Sequence, residues 1–124
     1  MLNIRDIAIT YGGNSIPTVE GVSLEMNQGE IVSIVGESGS GKTTVIRAVL
    51  GCLPGGGRVI RGQIQFEGTD LGSLSRDAWR SLRGSSISMI FQDSGAMINP
   101  IRKIGPQYVE YIRTHQRISK KGAW

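Results

Sequence analysis

The sequence is poor in several residue types, and each scarcity excludes a class of protein. Cys52 is the only cysteine among 124 residues, so no disulfide can form within the chain, which agrees with a reducing cytoplasm. No apolar stretch approaches the roughly 20 residues that a membrane-spanning helix needs. The N-terminal stretch also lacks a basic region followed by a long apolar one, so we expect no secretory signal. Any association with a membrane is expected to come through a partner.

Charge is sparse as well. Charged residues make up 19% of the sequence, the formal net charge is +4, and the basic residues are scattered in small groups. The chain has no continuous basic stripe and no RNA-type aromatic motif, which argues against nucleic acid as a partner. With 39% hydrophobic residues the composition is globular, and the length suits one domain.

The strongest motif lies within residues 31–51. Residues 36–43 read Gly-Glu-Ser-Gly-Ser-Gly-Lys-Thr, which fits the phosphate-binding loop pattern G-x-x-x-x-G-K-[ST]. The β-branched run at residues 31–35 predicts a buried parallel strand before the loop. Apolar residues at helical spacing predict a helix after the loop, ended by Gly51. The alternative is a glycine-rich turn without a ligand, but chance matches rarely have both flanks.

The residue types in this loop suit a nucleoside triphosphate with Mg²⁺. Glycines let successive N–H groups curl around a phosphate, and the helix N-terminus adds partial positive charge at the same place. Lys42 can reach the β- and γ-phosphates, the Thr43 hydroxyl can ligate Mg²⁺, and Thr44 can hydrogen-bond a phosphate nearer the ribose. The predicted nucleotide-binding residues of the loop are Gly36, Glu37, Ser38, Gly39, Ser40, Gly41, Lys42, Thr43 and Thr44.

Apolar and polar residues alternate on both sides of the loop, which predicts further strands. The predicted strands cover residues 2–9, 22–26, 31–35, 62–67 and 87–91. A short helix is predicted from an N-cap at Ser75 through Leu82, and a last helix is predicted to begin at Pro106. Tyr108 and Tyr111 are interpreted as core residues of that helix. The pattern favours an antiparallel β region ahead of an α/β core.

With these residues in view, the chain resembles the ATP-binding subunits of ABC transporters, in particular those that energise oligopeptide, dipeptide and nickel importers. The resemblance covers nearly the whole chain in the family's order. It rests on Tyr11, the phosphate-binding loop, and residues 62–68, 70–75, 79–84, 87–93 and 98–105. Ser94 departs from the usual proline of the peptide-importer branch. The resemblance implies the P-loop NTPase fold, with ATP and Mg²⁺ as cofactors.

The resemblance also implies roles by position. Tyr11 is expected to stack on the adenine ring, with a surface tyrosine at a strand end as the alternative. Gln92 is expected to contact Mg²⁺ and the region of the attacking water, with a polar residue bonded to backbone as the alternative. Lys42 and Gln92 are thus the predicted catalytic residues, and Thr43 and Gln92 the predicted metal ligands. Residues 93–112 are expected to face the coupling helices of transmembrane permease subunits.

Family members also carry an LSGGQ-type signature, a strand ending in Asp-Glu and a switch histidine, and residues 93–124 contain none of them. His115 is interpreted as a surface residue. Residues 1–124 are therefore expected to be the N-terminal part of an ABC-type ATP-binding domain, ending after the glutamine segment. The resemblance places the full-length protein at the inner face of the cell membrane, in a head-to-tail dimer with a second ATP-binding subunit. The 124-residue chain alone is expected to bind nucleotide weakly, to lack significant ATPase activity, and to self-associate through an exposed sheet edge.

Three functional hypotheses follow. The first is the ATP-binding part of an importer, with peptides or nickel as the solute. The second is a non-hydrolysing nucleotide-binding or assembly fragment that occupies a transporter interface. The third, a GTPase or kinase with the same loop, lacks support because the sequence has no Asn-Lys-x-Asp motif.

Overall fold

The structure, a computed structural model, describes residues 1–13, 16–93 and 95–124; Ser94, and with it the predicted departure from the family, lies outside them. The chain divides into two compact units, Met1–Trp79 and Arg80–Trp124. The strands are β1 (Leu2–Thr10), β2 (Val19–Met26), β3 (Arg58–Phe66) and β4 (Thr69–Asp70). The helices are α1 (Lys42–Val49), α2 (Arg76–Leu82) and α3 (Ile104–His115), with 3₁₀ turns at Leu71–Ser73 and Gly95–Met97.

The four strands form one antiparallel sheet in the order β2-β1-β3-β4. β1 lies between β2 and β3, and its apolar residues supply much of the core. The buried apolar residues of β1 are Ile4, Ile7, Ala8 and Ile9. The strands predicted at residues 2–9, 22–26 and 62–67 are confirmed, and β2 and β3 begin three and four residues earlier than predicted.

A bulge interrupts β1 opposite β3. Asp6 has a φ of 44°, and the register shifts between Arg5 and Ala8. Gly62 fits against this bulge: a Cβ there would lie 2.3 Å from the Arg5 carbonyl oxygen and 2.4 Å from the Asp6 carbonyl oxygen. Arg61 binds across the bulge, with ion pairs to Asp6 at 3.2 Å and to Glu20 at 3.0 Å. All three side chains are half exposed, so these pairs contribute little to stability.

Helix α1 packs through Val45 and Ala48, both of which are buried. Gly51 ends the helix, as predicted, with a φ of 58°. Its N–H donates to the Ala48 carbonyl, and the Cys52 N–H donates to the Arg47 carbonyl, both at 3.0 Å. These two bonds are the Schellman pattern, which satisfies the last carbonyls of the helix.

The predicted buried strand at residues 31–35 is wrong. These residues have no regular secondary structure, and Ile31 and Val35 are 95% and 89% exposed. A buried parallel strand needs ladder partners, and the sheet of the described residues is entirely antiparallel, with no strand bonded to residues 31–35. The β-branched composition of this run predicts a buried strand, but among the described residues no strand pairs with it.

Two predictions for the second unit also need correction. Residues 87–91 form no strand: a single bridge joins Arg83 to Ile87, and Ile90 is 94% exposed. The pattern lacks a neighbouring strand here as well. Helix α3 begins at Ile104, two residues before Pro106. Proline is tolerated there because the N–H groups of a first turn have no partner within the helix.

The predicted Ser75 cap of α2 is confirmed, since its hydroxyl accepts the Ala78 N–H at 3.2 Å.

Candidate nucleotide-binding site

The glycine-rich loop of residues 36–41 joins residues 31–35 to α1 through one turn at residues 38–39 and a bend at residues 40–41. The Ser40 N–H donates to the Glu37 carbonyl at 3.3 Å, which closes one turn. Gly39 and Gly41 have φ values of 83° and 90°, a region that other residues enter only with strain. Glu37, Ser38 and the rest of residues 36–40 are exposed. The loop backbone is therefore open to a ligand from solvent.

Gly41 connects this loop to the core of the first unit. It is the N-cap residue of α1, and a Cβ on it would lie 2.6 Å from Cγ2 of Val19 at the start of β2. Among the residues that the structure describes, no side chain caps the first turn of α1. Its free N–H groups and the helix dipole form the kind of site that binds an anion.

The Lys42 side chain folds back onto the loop, and its ammonium group binds loop atoms. Its Nζ donates to the Gly36 carbonyl at 2.7 Å, to the Glu37 carbonyl, and to Ser40 Oγ at 3.2 Å. Gly36 allows this arrangement, because a Cβ there would lie 2.8 Å from Ser40 Oγ. The ammonium group is thus held beside the loop backbone by neutral acceptors, and a phosphate can compete for it as a stronger, charged acceptor.

Two predicted site residues from distant parts of the sequence meet at α1. The Tyr11 hydroxyl donates to Thr44 Oγ1 at 3.4 Å, in a partly buried position. Tyr11 follows directly after β1, and Thr44 lies in the first turn of α1. Thr43, between Lys42 and Thr44, is exposed. The first unit therefore brings together Tyr11, the loop and the start of α1.

Gln92 lies in the second unit, where it is exposed in an irregular segment. Its proposed contacts with Mg²⁺ and water stay predictions, as does metal binding by Thr43. Among the described residues, no group of three or more His, Cys, Asp or Glu side chains is arranged to hold a metal ion.

The second unit presents an apolar groove of about 460 Å³ along α3. Its apolar lining residues are Met97, Ile98, Ile104, Tyr108 and Tyr111. The interpretation of both tyrosines as core residues is wrong, because Tyr108 is 60% and Tyr111 58% exposed. Val109 is the one buried residue of α3, so the helix packs through its opposite side and leaves the tyrosine side uncovered within the second unit. His115 is exposed, as expected, and its ring lies 4.9 Å from that of Tyr111.

Sequence reasoning missed the role of Gln107 in this unit. The side chain of Gln107 accepts the Asn99 N–H at 2.9 Å and donates to the carbonyls of Asn99, Arg102 and Lys103 at 3.1, 3.1 and 3.4 Å. The Asn99 side chain in turn accepts the Ile101 N–H at 3.0 Å. The only sequence signal was the Asn99-Pro100 turn, which does not reveal a partner eight residues later. The loop of residues 99–103 is thus fixed to α3.

The pKa of Glu30, in the segment that precedes the phosphate-binding loop, is shifted from its ordinary value. The Asn27 backbone N–H and, secondarily, the Asn27 side-chain amide bind the Glu30 carboxylate and lower the pKa of Glu30. The Glu30 N–H donates back to the Asn27 carbonyl at 3.2 Å. These bonds close the turn that leads from β2 into residues 31–35.

Comparisons with known proteins are consistent across sequence and structure. The family model described as ABC transporter matches residues 19–119. The chain is 42% identical to the oligopeptide transport ATP-binding protein OppD of Bacillus subtilis, covering 99% of the chain and 35% of that protein. It is 38% identical to the dipeptide transport ATP-binding protein DppD of Haemophilus influenzae, covering 98% of the chain and 37% of that protein. The chain thus spans about a third of the length of these relatives.

The fold has a match among solved structures. A dimeric ATP-binding cassette, MJ0796, in a post-hydrolysis state with ADP and phosphate, superposes with a TM-score of 0.73 at 21% identity, over 99% of this chain and 54% of that one. This match confirms the predicted α/β fold of the ABC ATPases. No helix among the described residues is long and apolar enough to cross a membrane. Because the family model covers most of the chain, the chain belongs to the ABC transporter family.

Proposed function

We propose that the chain binds Mg²⁺-ATP as the nucleotide-binding part of an importer subunit. The observation that carries the proposal is the position of Lys42. Its ammonium group lies against the backbone of a glycine loop, at the uncapped N-terminus of α1. A cation, free N–H groups and a helix dipole at one point are a combination that favours a polyphosphate.

The described residues fit both parts of this ligand. Lys42 would exchange its carbonyl partners for β- and γ-phosphate oxygens, and the backbone of residues 36–41 would wrap the phosphates. The exposed Thr43 hydroxyl is a hard oxygen ligand of the kind that Mg²⁺ prefers. Bound Mg²⁺ supplies positive charge to the phosphate oxygens. The contact of Tyr11 with Thr44 supports the proposal that Tyr11 meets the base end of the nucleotide.

The second unit is the proposed contact with the membrane partner. Residues 95–112 expose Ile98, Ile101 and the groove beside Tyr108 and Tyr111. Exposed apolar side chains that line one groove are typical of an interaction surface. We propose that this surface binds the transmembrane permease subunits at the inner face of the membrane. Gln92, three residues before this surface in sequence, is proposed to report the state of the nucleotide there.

Peptides are the proposed solute of the whole protein, since the relatives carry oligopeptide and dipeptide transport in their names. A second ATP-binding subunit in a head-to-tail dimer is the proposed partner in hydrolysis, in line with the dimeric cassette of the same fold. The 124-residue chain alone is proposed to turn over little ATP, because residues 93–124 contain no Asp-Glu pair or LSGGQ-type signature.

The second candidate function is a non-hydrolysing assembly fragment. The observation that favours it is the exposure of Ile31 and Val35, at 95% and 89%. Such a segment offers unpaired backbone groups and β-branched side chains to another chain. Light scattering tests whether the chain self-associates through residues 31–35. A dispersed monomer at all concentrations would argue against self-association through this segment.

Calorimetry with Mg²⁺-ATP tests the main proposal. Lys42→Ala should weaken binding by on the order of 1.5–3 kcal/mol, the range for hydrogen bonds to charged groups. Lys120→Ala removes the same charge in the second unit and serves as the control. Equal affinity of Lys42→Ala and the unmodified chain would refute the assignment of Lys42. Phosphate release should stay far below the usual enzyme range of roughly 1–10³ s⁻¹, and turnover in that range abolished by Lys42→Ala would contradict the proposal.

A further inference from the structure

We propose that Gly57 is a positioning residue: it sets where the Tyr11 ring stands, and so how well the site holds the base of a nucleotide. The inference rests on the proposed function and deepens it. It concerns a residue outside the phosphate-binding loop that acts only through Tyr11.

The register of the sheet brings the two residues together. In the ladder of β1 and β3, Ile9 pairs with Val59 and Thr10 pairs with Arg58. Tyr11 directly follows β1 and Gly57 directly precedes β3, so the same register, extended by one residue beyond the strands, sets Tyr11 opposite Gly57. Aromatic side chains commonly pack over a glycine on the neighbouring strand, because the glycine leaves the space that a side chain would fill.

The distances show how closely the ring uses that space. A Cβ on Gly57 would lie 2.5 Å from Cε1 and 2.8 Å from Cδ1 of Tyr11. Ordinary van der Waals contact begins near 3.4 Å, so a methyl group at this position would force the ring to move by about 1 Å. The φ of Gly57 lies outside the left-handed region, so alanine adds no backbone strain of that kind. Besides the ring, its Cβ would meet the Leu53 Cβ at 2.9 Å.

A tight turn between α1 and β3 ends at Gly57. The Gly57 N–H donates to the Pro54 carbonyl at 2.9 Å, and Gly55 and Gly56 between them have φ values of 58° and 70°. Two central residues with positive φ are typical of a type I′ turn. This turn follows the end of α1 by a few residues. The Tyr11 ring therefore lies close to Gly57, after the end of α1, and its hydroxyl reaches Thr44, near the start of α1, through a long hydrogen bond of 3.4 Å.

This arrangement predicts that a shift of the Tyr11 ring lowers affinity only for ligands that carry a base. The ring of Tyr11 is the proposed surface for the adenine, whereas the phosphates bind the loop and Lys42. A shift of the ring should weaken binding of ATP and leave binding of inorganic tripolyphosphate, which has no base, unchanged. A general disturbance of α1 would weaken both ligands.

The experiment compares Mg²⁺-ATP and Mg²⁺-tripolyphosphate affinities of the 124-residue chain by calorimetry. Gly57→Ala should lower the affinity for ATP about three- to tenfold, part of the loss expected from removing a base–aromatic stack, and leave tripolyphosphate unchanged. Gly56→Ala is the matched control, since its φ is 70° but no atom of the described residues lies within 4 Å of its Cβ position. It strains the same turn without adding an atom beside Tyr11, so its affinity loss measures the effect of the turn, and Gly57→Ala should lose more ATP affinity than this control.

A second comparison uses the Tyr11→Ala background, where the ring is absent. There Gly57→Ala should change neither affinity, although its Cβ would still lie 2.9 Å from the Leu53 Cβ. An equal loss for both ligands in Gly57→Ala, or a further loss of ATP affinity in the Tyr11→Ala background, would overturn the positioning role. Binding of neither ligand by the unmodified chain would overturn the proposed function itself, and the inference with it.

Discussion

Gln107 gives a prediction that can be worked out bond by bond. Its side-chain oxygen accepts the Asn99 N–H at 2.9 Å, and its amide nitrogen donates to three carbonyls of residues 99–103. We expect Gln107→Ala to release this loop while α3 stays folded. The helix itself packs through Val109, which the substitution does not touch.

The expected change in the hydrogen-exchange rate follows from the bonds that Gln107→Ala removes. The Asn99 N–H has Gln107 as its partner, and one net hydrogen bond contributes about 0.5–1.5 kcal/mol. Its hydrogen exchange should therefore accelerate roughly 2- to 13-fold in Gln107→Ala. Gln107→Glu keeps the acceptor for Asn99 but turns a carboxylate towards three carbonyls. We expect this variant to loosen the carbonyl side of the loop as well.

Amide hydrogen exchange, followed by NMR, measures this effect. Gln116→Ala, just past the end of α3, is the matched glutamine control and should leave Asn99 unaffected. If the loop forms part of the permease surface, Gln107→Ala should also weaken binding of permease subunits in proportion to the loss of order. Unchanged exchange at Asn99 in Gln107→Ala would refute the reasoning, since it would show that the Gln107 side chain does not protect that N–H.

Three further predictions concern the first unit. Tyr11→Ala should lower ATP and GTP affinity alike by about 1–3 kcal/mol, whereas Tyr11→Phe should be nearly neutral because the bond it removes is 3.4 Å long; calorimetry checks both. Gly62→Ala should lower the thermal unfolding temperature more than Gly68→Ala, since both have positive φ but only Gly62 meets backbone atoms. The Glu30 carboxyl should titrate below its ordinary value of 4.5, and the stability from its turn should be full above that pH and lost as the pH falls through the lowered pKa; carboxyl NMR checks this.

Local patterns predict much of this fold. The alternation of apolar and polar residues identifies the antiparallel strands, because one face of each strand is buried. This alternation can be read from neighbouring residues without knowing the distant partner strand. The helix after the phosphate-binding loop and its Gly51 end follow from equally local chemistry. The loop residues are equally predictable, since one short motif defines both the turn and the start of the helix that follows.

The failures share a physical cause. The composition of residues 31–35 and 87–91 favours strands, but a strand forms only where another strand accepts its hydrogen bonds. Helical spacing places Tyr108 and Tyr111 on an apolar face, but it does not show what covers that face. The contacts of Gln107 and of Gly57 depend on register and on loop path, and no local pattern encodes these.

Nucleotide binding at the loop is the central claim, and one titration tests it most directly. Mg²⁺-ATP is added to the ¹⁵N-labelled 124-residue chain while the amide resonances are followed. The account predicts saturable shifts concentrated in residues 36–44, with further shifts at Tyr11, and their loss in Lys42→Ala. Saturable shifts that leave residues 36–44 unmoved, or no shifts at millimolar nucleotide, would contradict it.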